Sequence, residues 1–264
     1  MDNLTDMLLR GLSPGETEYF YQPIYDVAQG AITKAEVLLR VADSAGGYFD
    51  TEKLITQAEK LGCIYDLDKS AFRHACRVQR EFREHGITEL GVNLSPAACH
   101  DPYLIPEAIR LLRETGGDPS GICVEITEIY KLLDEQVFYA AVQALYKLGL
   151  KVAIDDFGTG YSSIKRMLSI PFHTIKLDKS LVWGMDQQPL ARSLIGEIIQ
   201  FARNNGITVV AEGIETAEQA CILSGLGCHY LQGYFYSRPV PKKQFLDLLD
   251  AQPLSGEKRL VGVG

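Results

Sequence analysis

The chain has 264 residues, of which 46% are hydrophobic, and a formal net charge of −8 at pH 7. This length and composition allow a sizeable core in one large α/β domain. Basic residues occur only in short pairs such as Lys-Lys and Lys-Arg, which argues against non-specific binding to DNA. We therefore expect any anionic ligand to be held by a local arrangement of groups.

The cysteines and the N-terminal segment indicate a cytoplasmic protein. The six cysteines form no C-x-x-C pair and have no histidine at zinc spacing, which is typical of reduced thiols. The N-terminal segment has an acid at position 2 and only a short apolar run, unlike a signal peptide. No apolar run is long enough for a membrane span. The cysteines are Cys63, Cys76, Cys99, Cys123, Cys221 and Cys228.

Eight strand-like runs follow one another along the chain. From residue 89 onward they alternate with segments that carry apolar residues at helical spacing, several of which end at a glycine. This alternation predicts parallel strands, and eight of them favour a closed TIM-like (β/α)8 barrel over an open sheet. The runs are residues 18–27, 32–41, 89–96, 121–128, 151–158, 173–180, 207–215 and 229–237.

The first two runs depart from the regular barrel. Only "VAQGA" joins them, which is too short for a crossover helix. They are therefore predicted to form a hairpin, with the first strand antiparallel to the rest. The expected domain organisation is a lead-in helix in residues 1–16, a barrel in residues 17–251 and a C-terminal tail in residues 252–264.

Polar side chains fall at the carboxyl ends of seven of the eight runs. Functional residues of such barrels gather at this edge. Taken singly, each has another explanation as a turn residue, a helix cap or a solvated strand end, and Lys176 and Asp178 can simply pair with each other. The residues are Glu36, Asn93, Glu125, Asp155, Asp156, Lys176, Glu212 and Gln232.

Together, these residues predict a metal site. Several carboxylates at one barrel mouth are unfavourable unless cations compensate them. Oxygen ligands without histidine or thiolate favour Mg²⁺ or Mn²⁺ over zinc. The adjacent pair Asp155 and Asp156 suits two metal ions, an arrangement typical of phosphodiester hydrolysis. The segment "DDFGTG" lacks both the accompanying motifs of a kinase and the ligand spacing of a calcium loop.

Seven motifs carry a resemblance to a known family. The chain resembles the EAL-domain phosphodiesterases, which hydrolyse the bacterial messenger cyclic di-GMP, over about residues 17–250. The family's signature triplet is Glu-Val-Leu here, and Val37 is expected to point away from Glu36 along its strand. The motifs, in chain order, are "EVLLR", "NLSP", "EITE", "DDFGTGYSS", "IKLDKS", "AEGIET" and "QGYFYSRP".

The resemblance implies two divalent cations, Mg²⁺ or Mn²⁺, whereas Ca²⁺ is expected to bind without supporting the reaction well. Lys176 is expected to orient the attacking water or to accept its proton, and Gln232 to contact a metal-bound water. Glu128, with Glu215 as a second candidate, is expected to steady the loop that completes the second metal site. The expected metal ligands are Glu36, Asn93, Glu125, Asp155, Asp156 and Glu212.

The same resemblance implies a substrate and partners. Cyclic di-GMP is expected to contact Gln22, Leu38, Arg40 and Asp178 and to be opened in line to linear 5′-pGpG. A homodimer is expected through the region near residues 156–163, and a separate regulatory protein is a further candidate partner. Two alternatives remain open: a non-catalytic cyclic di-GMP receptor that acts through a protein partner, and a general nuclease or unrelated metallophosphatase.

Overall fold

The structure, a computed structural model, describes residues 3–13, 15–127, 134–159, 169–186 and 188–252. Within them, eight strands close into a barrel and a short ninth strand pairs with the first. The strands are β1 Thr17–Asp26, β2 Ala31–Val41, β3 Glu89–Asn93, β4 Ile122–Thr127, β5 Lys151–Phe157, β6 Thr174–Leu177, β7 Thr208–Ala211, β8 Tyr230–Gln232 and β9 Val240–Pro241.

Helices surround this barrel. Several begin at a residue whose side chain accepts a hydrogen bond from the first turn, as Asp50 does from the Lys53 backbone N–H, and Thr216 and Gln219 form a capping box. No helix in the described residues is long and apolar enough to cross a membrane. The helices are α1 Asn3–Leu9, α2 Thr51–Leu61, α3 Ile64–Glu84, α4 Leu104–Thr115, α5 Glu135–Lys147, α6 Lys179–Gly184, α7 Pro189–Asn204, α8 Ala217–Leu226 and α9 Lys242–Asp250.

The direction of β1 sets this barrel apart from a regular one. Strands β2 to β8 pair with their neighbours in parallel, whereas β1 is antiparallel to both β2 and β8 and closes the ring between them. The turn after β1 is held by Asp26, whose Oδ1 accepts hydrogen bonds from the backbone of Ala28 and Gln29. The predicted TIM-like barrel and its antiparallel first strand are confirmed.

All eight predicted runs contain a strand, but the later strands end sooner than predicted. The run 207–215 contains only Thr208–Ala211. Beyond it, Gly213 takes a left-handed conformation (φ +70°), and the Ile214 N–H donates to the carbonyl of Gln232 on β8. The chain therefore turns across the barrel mouth where the sequence pattern continues the strand. The proposed domain boundaries stay a prediction, and residues 253–264 lie outside the described part.

One continuous apolar core lies between the barrel and its helices. The Tyr21 ring on β1 lies 4.7 Å from that of Phe82 on α3 and 5.5 Å from that of Phe245 on α9, centroid to centroid. A smaller cluster, which includes Leu4 and Leu54, joins α1 to α2 and to the end of β2. Aromatic packing thus fixes β1, the strand that closes the barrel, against two helices.

Replacing Phe138 with alanine tests the packing of α5 on the barrel. Phe138 is 0% exposed, so Phe138→Ala leaves a cavity and is expected to lower the free energy of unfolding by about 3–5 kcal/mol. The neighbouring Val137 is 43% exposed, and Val137→Ala is expected to change it by less than about 0.5 kcal/mol. Urea unfolding followed by circular dichroism measures both, and equal effects would contradict the described orientation of α5.

Candidate functional site

The mouth of the barrel centres on the ammonium group of Lys176. This side chain lies one residue before the end of β6 and is only 2% exposed. Its Nζ lies 2.5 Å from Glu125 Oε2, 2.9 Å from Glu212 Oε1, 3.2 Å from Asp155 Oδ1 and 3.6 Å from Glu36 Oε2. The structure therefore brings together four of the predicted metal ligands, from four places around the barrel, on one buried cation.

Three amide side chains extend this group around the rest of the barrel. Asn93 Nδ2 donates to Glu36 Oε1 at 2.9 Å, and Gln232 Nε2 donates to Glu36 Oε2 at 2.7 Å. Gln232 Nε2 also lies 3.3 Å from Gln22 Oε1 on β1. Both carboxylate oxygens of Glu36 thus accept hydrogen bonds, which fix the orientation of its carboxylate.

A glycine on β3 makes room for one of the acids. Glu36 on β2 is aligned with Gly91 on β3, and Asn93 is aligned with Glu125 on β4. A Cβ atom built on Gly91 would lie 2.0 Å from Glu125 Oε1, closer than two such atoms approach. The carboxylate of Glu125 therefore occupies the space that a side chain at position 91 would need.

The adjacent acids Asp155 and Asp156 share one side of the site although strand neighbours normally point to opposite faces. Asp156 has a left-handed backbone (φ 54°), and the pairing of β5 with β6 shifts between Ile154 and Phe157. The Asp156 N–H donates to Asp155 Oδ1 at 2.9 Å. As a result, one carboxylate oxygen from each of Asp155, Asp156 and Glu212 lies within 4.8 Å of the others.

Lys176 does not balance the negative charge of this cluster. Burial alone would lower the pKa of Lys176, but Asp155, Glu125, Glu212 and Glu36 outweigh it and raise this pKa well above its ordinary value. The same lysine, with hydrogen bonds from Gln232 and Asn93, outweighs burial at Glu36 and lowers the pKa of that carboxyl. One cation thus faces several carboxylates, and negative charge is left over.

Burial and the neighbouring negative charges raise the pKa values of the remaining acids. Burial, reinforced by Glu36 and Asp155, raises the pKa of Glu125 well above its ordinary value. Burial also raises the pKa of Glu212. Burial, followed by the charge of Asp155, raises the pKa of Asp156 to about 6. Without a further cation, Glu125 and Glu212 hold protons at neutral pH that ordinary carboxyl groups have lost, and Asp156 loses its proton only near pH 6.

The residues present fit divalent cations that prefer oxygen ligands. The donors are carboxylate and amide oxygens, without thiolate or imidazole. Gln232 Oε1 is buried at the site without a hydrogen-bond donor among the described residues. A buried acceptor without a partner, beside carboxylates that lack compensating charge, is what a bound cation or its water would satisfy.

A pocket of about 350 Å³ opens over this cluster. Asn93 and Glu125 are not among its lining residues but contact two of them, Glu36 and Lys176. Among the predicted site residues, the lining includes Gln22, Glu36, Leu38, Asp155, Asp156, Lys176, Glu212, Glu215 and Gln232.

The structure does not place all the predicted residues at this pocket. The guanidinium of Arg40 lies 5.4 Å from the centre of the Phe20 ring and donates to the Leu39 carbonyl at 2.9 Å. Asp178 Oδ1 accepts from the Ser180 N–H at 2.9 Å and thereby caps α6. Neither residue lines the pocket. Glu128 and residues 160–163 of the expected mobile loop lie outside the described residues, so their roles stay predictions.

Five further lining residues were not among the predicted site residues, although all except Trp183 lie within the quoted motifs. Two lie on α6, which follows β6, and three lie in the segments that directly follow β7 and β8. Two are glycines in tight contacts: a Cβ on Gly213 would lie 2.3 Å from Lys179 Cβ, and one on Gly233 would lie 2.1 Å from the Ile214 carbonyl oxygen. Glycines directly after the polar strand ends in "AEG" and "LQG" are the sequence signal for these last two segments. The residues are Lys179, Trp183, Gly213, Gly233 and Tyr234.

Comparison with known proteins identifies the family. Residues 5–239 match the EAL domain. The chain belongs to this family.

Among its relatives, the chain is 33% identical over 241 residues to the cyclic di-GMP phosphodiesterase RocR of Pseudomonas aeruginosa, covering 91% of this chain and 62% of the relative. It is 35% identical over 231 residues to the probable cyclic di-GMP phosphodiesterase PdeI of Escherichia coli, covering 86% of this chain and 29% of the relative. The chain thus spans less than two thirds of either relative.

Solved structures show the same fold. The PaMucR phosphodiesterase in complex with c-di-GMP superposes with a TM-score of 0.83 at 28% identity, over 92% of this chain and 99% of that one. The EAL enzyme Bd1971, in its cAMP- and cyclic-di-GMP-bound form, gives 0.85 at 26% identity, over 93% and 68% of the two chains. The EAL structures are TIM-like barrels, as this chain is.

Binding of Mn²⁺ to the metal-free protein is expected to depend on pH. A carboxyl group must lose its proton to bind a metal ion, and the pKa of Asp156 is raised to about 6. Below that pH, proton competition at Asp156 should weaken Mn²⁺ binding up to about tenfold per pH unit, and the raised pKa of Glu212 extends the effect upward.

Titration calorimetry on either side of pH 6, in buffers of different ionisation enthalpy, measures both the affinity and the protons released. The variant Asp156→Asn is the matched control, because it removes one of the competing protons and should flatten the dependence. An affinity that stays constant across this range, without proton release, would contradict the described burial of these carboxyls.

Proposed function

We propose that the chain is a metal-dependent phosphodiesterase that hydrolyses cyclic di-GMP to linear 5′-pGpG. The observation that carries the proposal is the buried Lys176 with four carboxylates around it at the mouth of an EAL-domain barrel. The relatives named as cyclic di-GMP phosphodiesterases and the c-di-GMP complex of PaMucR support the choice of substrate.

Two divalent cations, Mg²⁺ or Mn²⁺, would be held by the acids of this site with Asn93, and they would supply Lewis-acid activation of water and neutralise phosphate charge. Asp155, Asp156 and Glu212 form the group whose oxygens already lie within 4.8 Å of one another. Glu36, held by two amide donors, is expected to complete the set. Binding these ions would also compensate the excess negative charge of the cluster.

Between the two roles expected of Lys176, its surroundings favour orientation of the water. The carboxylates raise the pKa of Lys176 well above its ordinary value, so its Nζ carries three protons at neutral pH. An ammonium group donates hydrogen bonds and has no lone pair with which to accept a proton. Lys176 would therefore hold the nucleophilic oxygen and stabilise negative charge on the phosphate.

Local cations explain how a chain of net charge −8 can bind a dianion. Lys176 lies at the base of the pocket, and Lys179 lines its wall. Burial lowers the pKa of Arg40, whereas the nearby charges of Glu36 and Tyr234 act in the opposite direction, which indicates that the guanidinium lies within electrostatic reach of the pocket. A phosphate in the pocket is thus expected to lie between metal ions and ammonium groups, away from the acidic exterior.

Replacing Asp155 tests the proposal directly. Asp155→Asn keeps the size of the side chain but removes the charge that both cations would share, so turnover of cyclic di-GMP is expected to fall at least about 100-fold. The exposed Glu52 on α2 provides the matched control Glu52→Gln, which should hydrolyse the substrate like the wild type. Chromatography of the reaction with Mg²⁺ or Mn²⁺ measures the loss of substrate and the appearance of pGpG.

The same measurements separate the alternatives. Binding of cyclic di-GMP without any product from the wild-type protein would favour the non-catalytic receptor. Turnover of other phosphodiesters at comparable rates would favour a general nuclease. Wild-type hydrolysis by a correctly folded Asp155→Asn protein would show that the reaction takes place elsewhere.

We propose further that the protein is cytoplasmic and forms a homodimer through the region near residues 156–163. All six cysteines are free, which supports a reducing compartment. Association near Asp156 would influence metal binding, since this residue reaches the site only through its left-handed backbone. Specific activity should therefore rise with protein concentration across the monomer–dimer transition, as measured by ultracentrifugation and product assay on the same samples; a flat profile would contradict the coupling.

A further inference from the structure

A single tryptophan lies at the edge of the pocket. We infer that the indole ring of Trp183 stacks on a purine base of the substrate, an assignment that rests on the proposed hydrolysis of a guanine dinucleotide. Trp183 lines the pocket, and 41% of the residue is exposed. None of the sequence motifs that indicate the metal site includes this residue.

The orientation of the indole is fixed by the backbone that crosses the barrel mouth. Trp183 Nε1 donates a hydrogen bond of 2.8 Å to the carbonyl oxygen of Gly213. A Cβ on Gly213 would lie 3.3 Å from this nitrogen, so the ring packs closely against the crossing. The ring is therefore held in one position before any ligand arrives, which reduces the entropy lost on binding.

The exposed part of the ring is apolar. Nε1 is the only polar atom of an indole and is already bonded, so the accessible area belongs to carbon atoms. An exposed aromatic surface beside a polar pocket is suited to a flat, aromatic ligand group. The other exposed aromatic residue of the lining, Tyr234, is covered more closely, because the Arg238 guanidinium lies 4.1 Å from its ring centre, whereas Lys179 Nζ lies 5.7 Å from the indole centre.

The position of the ring matches the layout of a nucleotide. Gly213 directly follows Glu212, so the backbone group that binds the indole is one residue from a predicted metal ligand. Lys179, one helical turn before Trp183, lines the same pocket, and its Nζ lies 5.7 Å from the indole centre. A phosphate beside Glu212 and Lys179 would have its sugar-linked base next to the indole.

Truncation of the ring is expected to weaken substrate binding without slowing the chemical step. Loss of one base-stacking contact should raise KM for cyclic di-GMP about tenfold, while kcat changes less than about twofold. Trp183→Ala tests the loss of the ring, and Trp183→Phe tests its conservative replacement, which keeps a stacking face and should restore most of the affinity. Tyr103→Ala is the matched control, because Tyr103 is 72% exposed and does not line the pocket.

A second readout reports on the ring itself. Trp183 is the only tryptophan of the sequence, so the intrinsic tryptophan emission comes from this one residue. Cyclic di-GMP, added to the Ca²⁺-loaded wild-type protein, is expected to quench this emission in a saturable manner after correction for absorption by the ligand. Inorganic phosphate, which lacks a base, should bind without this quenching.

The outcomes separate the stacking assignment from the proposed function. The stacking assignment would be overturned by an unchanged KM in Trp183→Ala, by a loss confined to kcat, or by unquenched emission at saturating cyclic di-GMP. Hydrolysis by the wild-type protein would in each case still support the proposed function. If the wild-type protein shows neither hydrolysis by chromatography nor binding by calorimetry, both the stacking assignment and the proposed function are overturned. Binding without hydrolysis would reject the catalytic proposal alone, and quenching would still decide the stacking assignment.

Discussion

The rest of the structure depends on an imbalance of charge at the barrel mouth. Four carboxylates converge on one buried ammonium group, although burial of an uncompensated charge costs several kcal/mol. In the absence of metal ions, protons reduce the excess, as the raised pKa of Glu212 shows. The cluster therefore costs stability in the metal-free protein, a cost that the proposed cations would offset. The apolar core behind the site, with side chains such as Phe82 and Phe138 fully enclosed, is what keeps the acids from separating into solvent.

The reversed first strand has a direct effect on the site. In the antiparallel register of β1, Gln22 lies opposite Glu36 on β2, and Ile24, two residues further along β1, lies opposite Gln232 on β8. The two glutamines meet across this seam, and Gln232 in turn donates to Glu36. The strand that closes the barrel thus also positions Glu36, a predicted metal ligand, and aromatic packing against α3 and α9 holds this strand in place.

Sequence reasoning succeeded where chemistry and regular geometry coincide. The eight strands, the hairpin and the acids around Lys176 were all predicted, because polar residues that end buried strands must meet at one edge. The residues after the strands were missed: Trp183 on α6 packs against the crossing at Gly213, and Tyr234 directly follows the close contact at Gly233. The left-handed backbone of Asp156 could not be predicted either, since a pair of adjacent aspartates does not indicate a φ of 54°. Local patterns predict elements, whereas these details arise from contacts between elements distant in sequence.

The contact between Gly91 and Glu125 has a consequence for substitution within β3. A Cβ atom at position 91 would lie 2.0 Å from Glu125 Oε1, so even an alanine there would push this carboxylate away from its position beside Lys176. The acid cluster can therefore be altered without replacing any acid. A glycine in the middle of a strand, which bears no functional group, thus determines where a carboxylate of the site can lie.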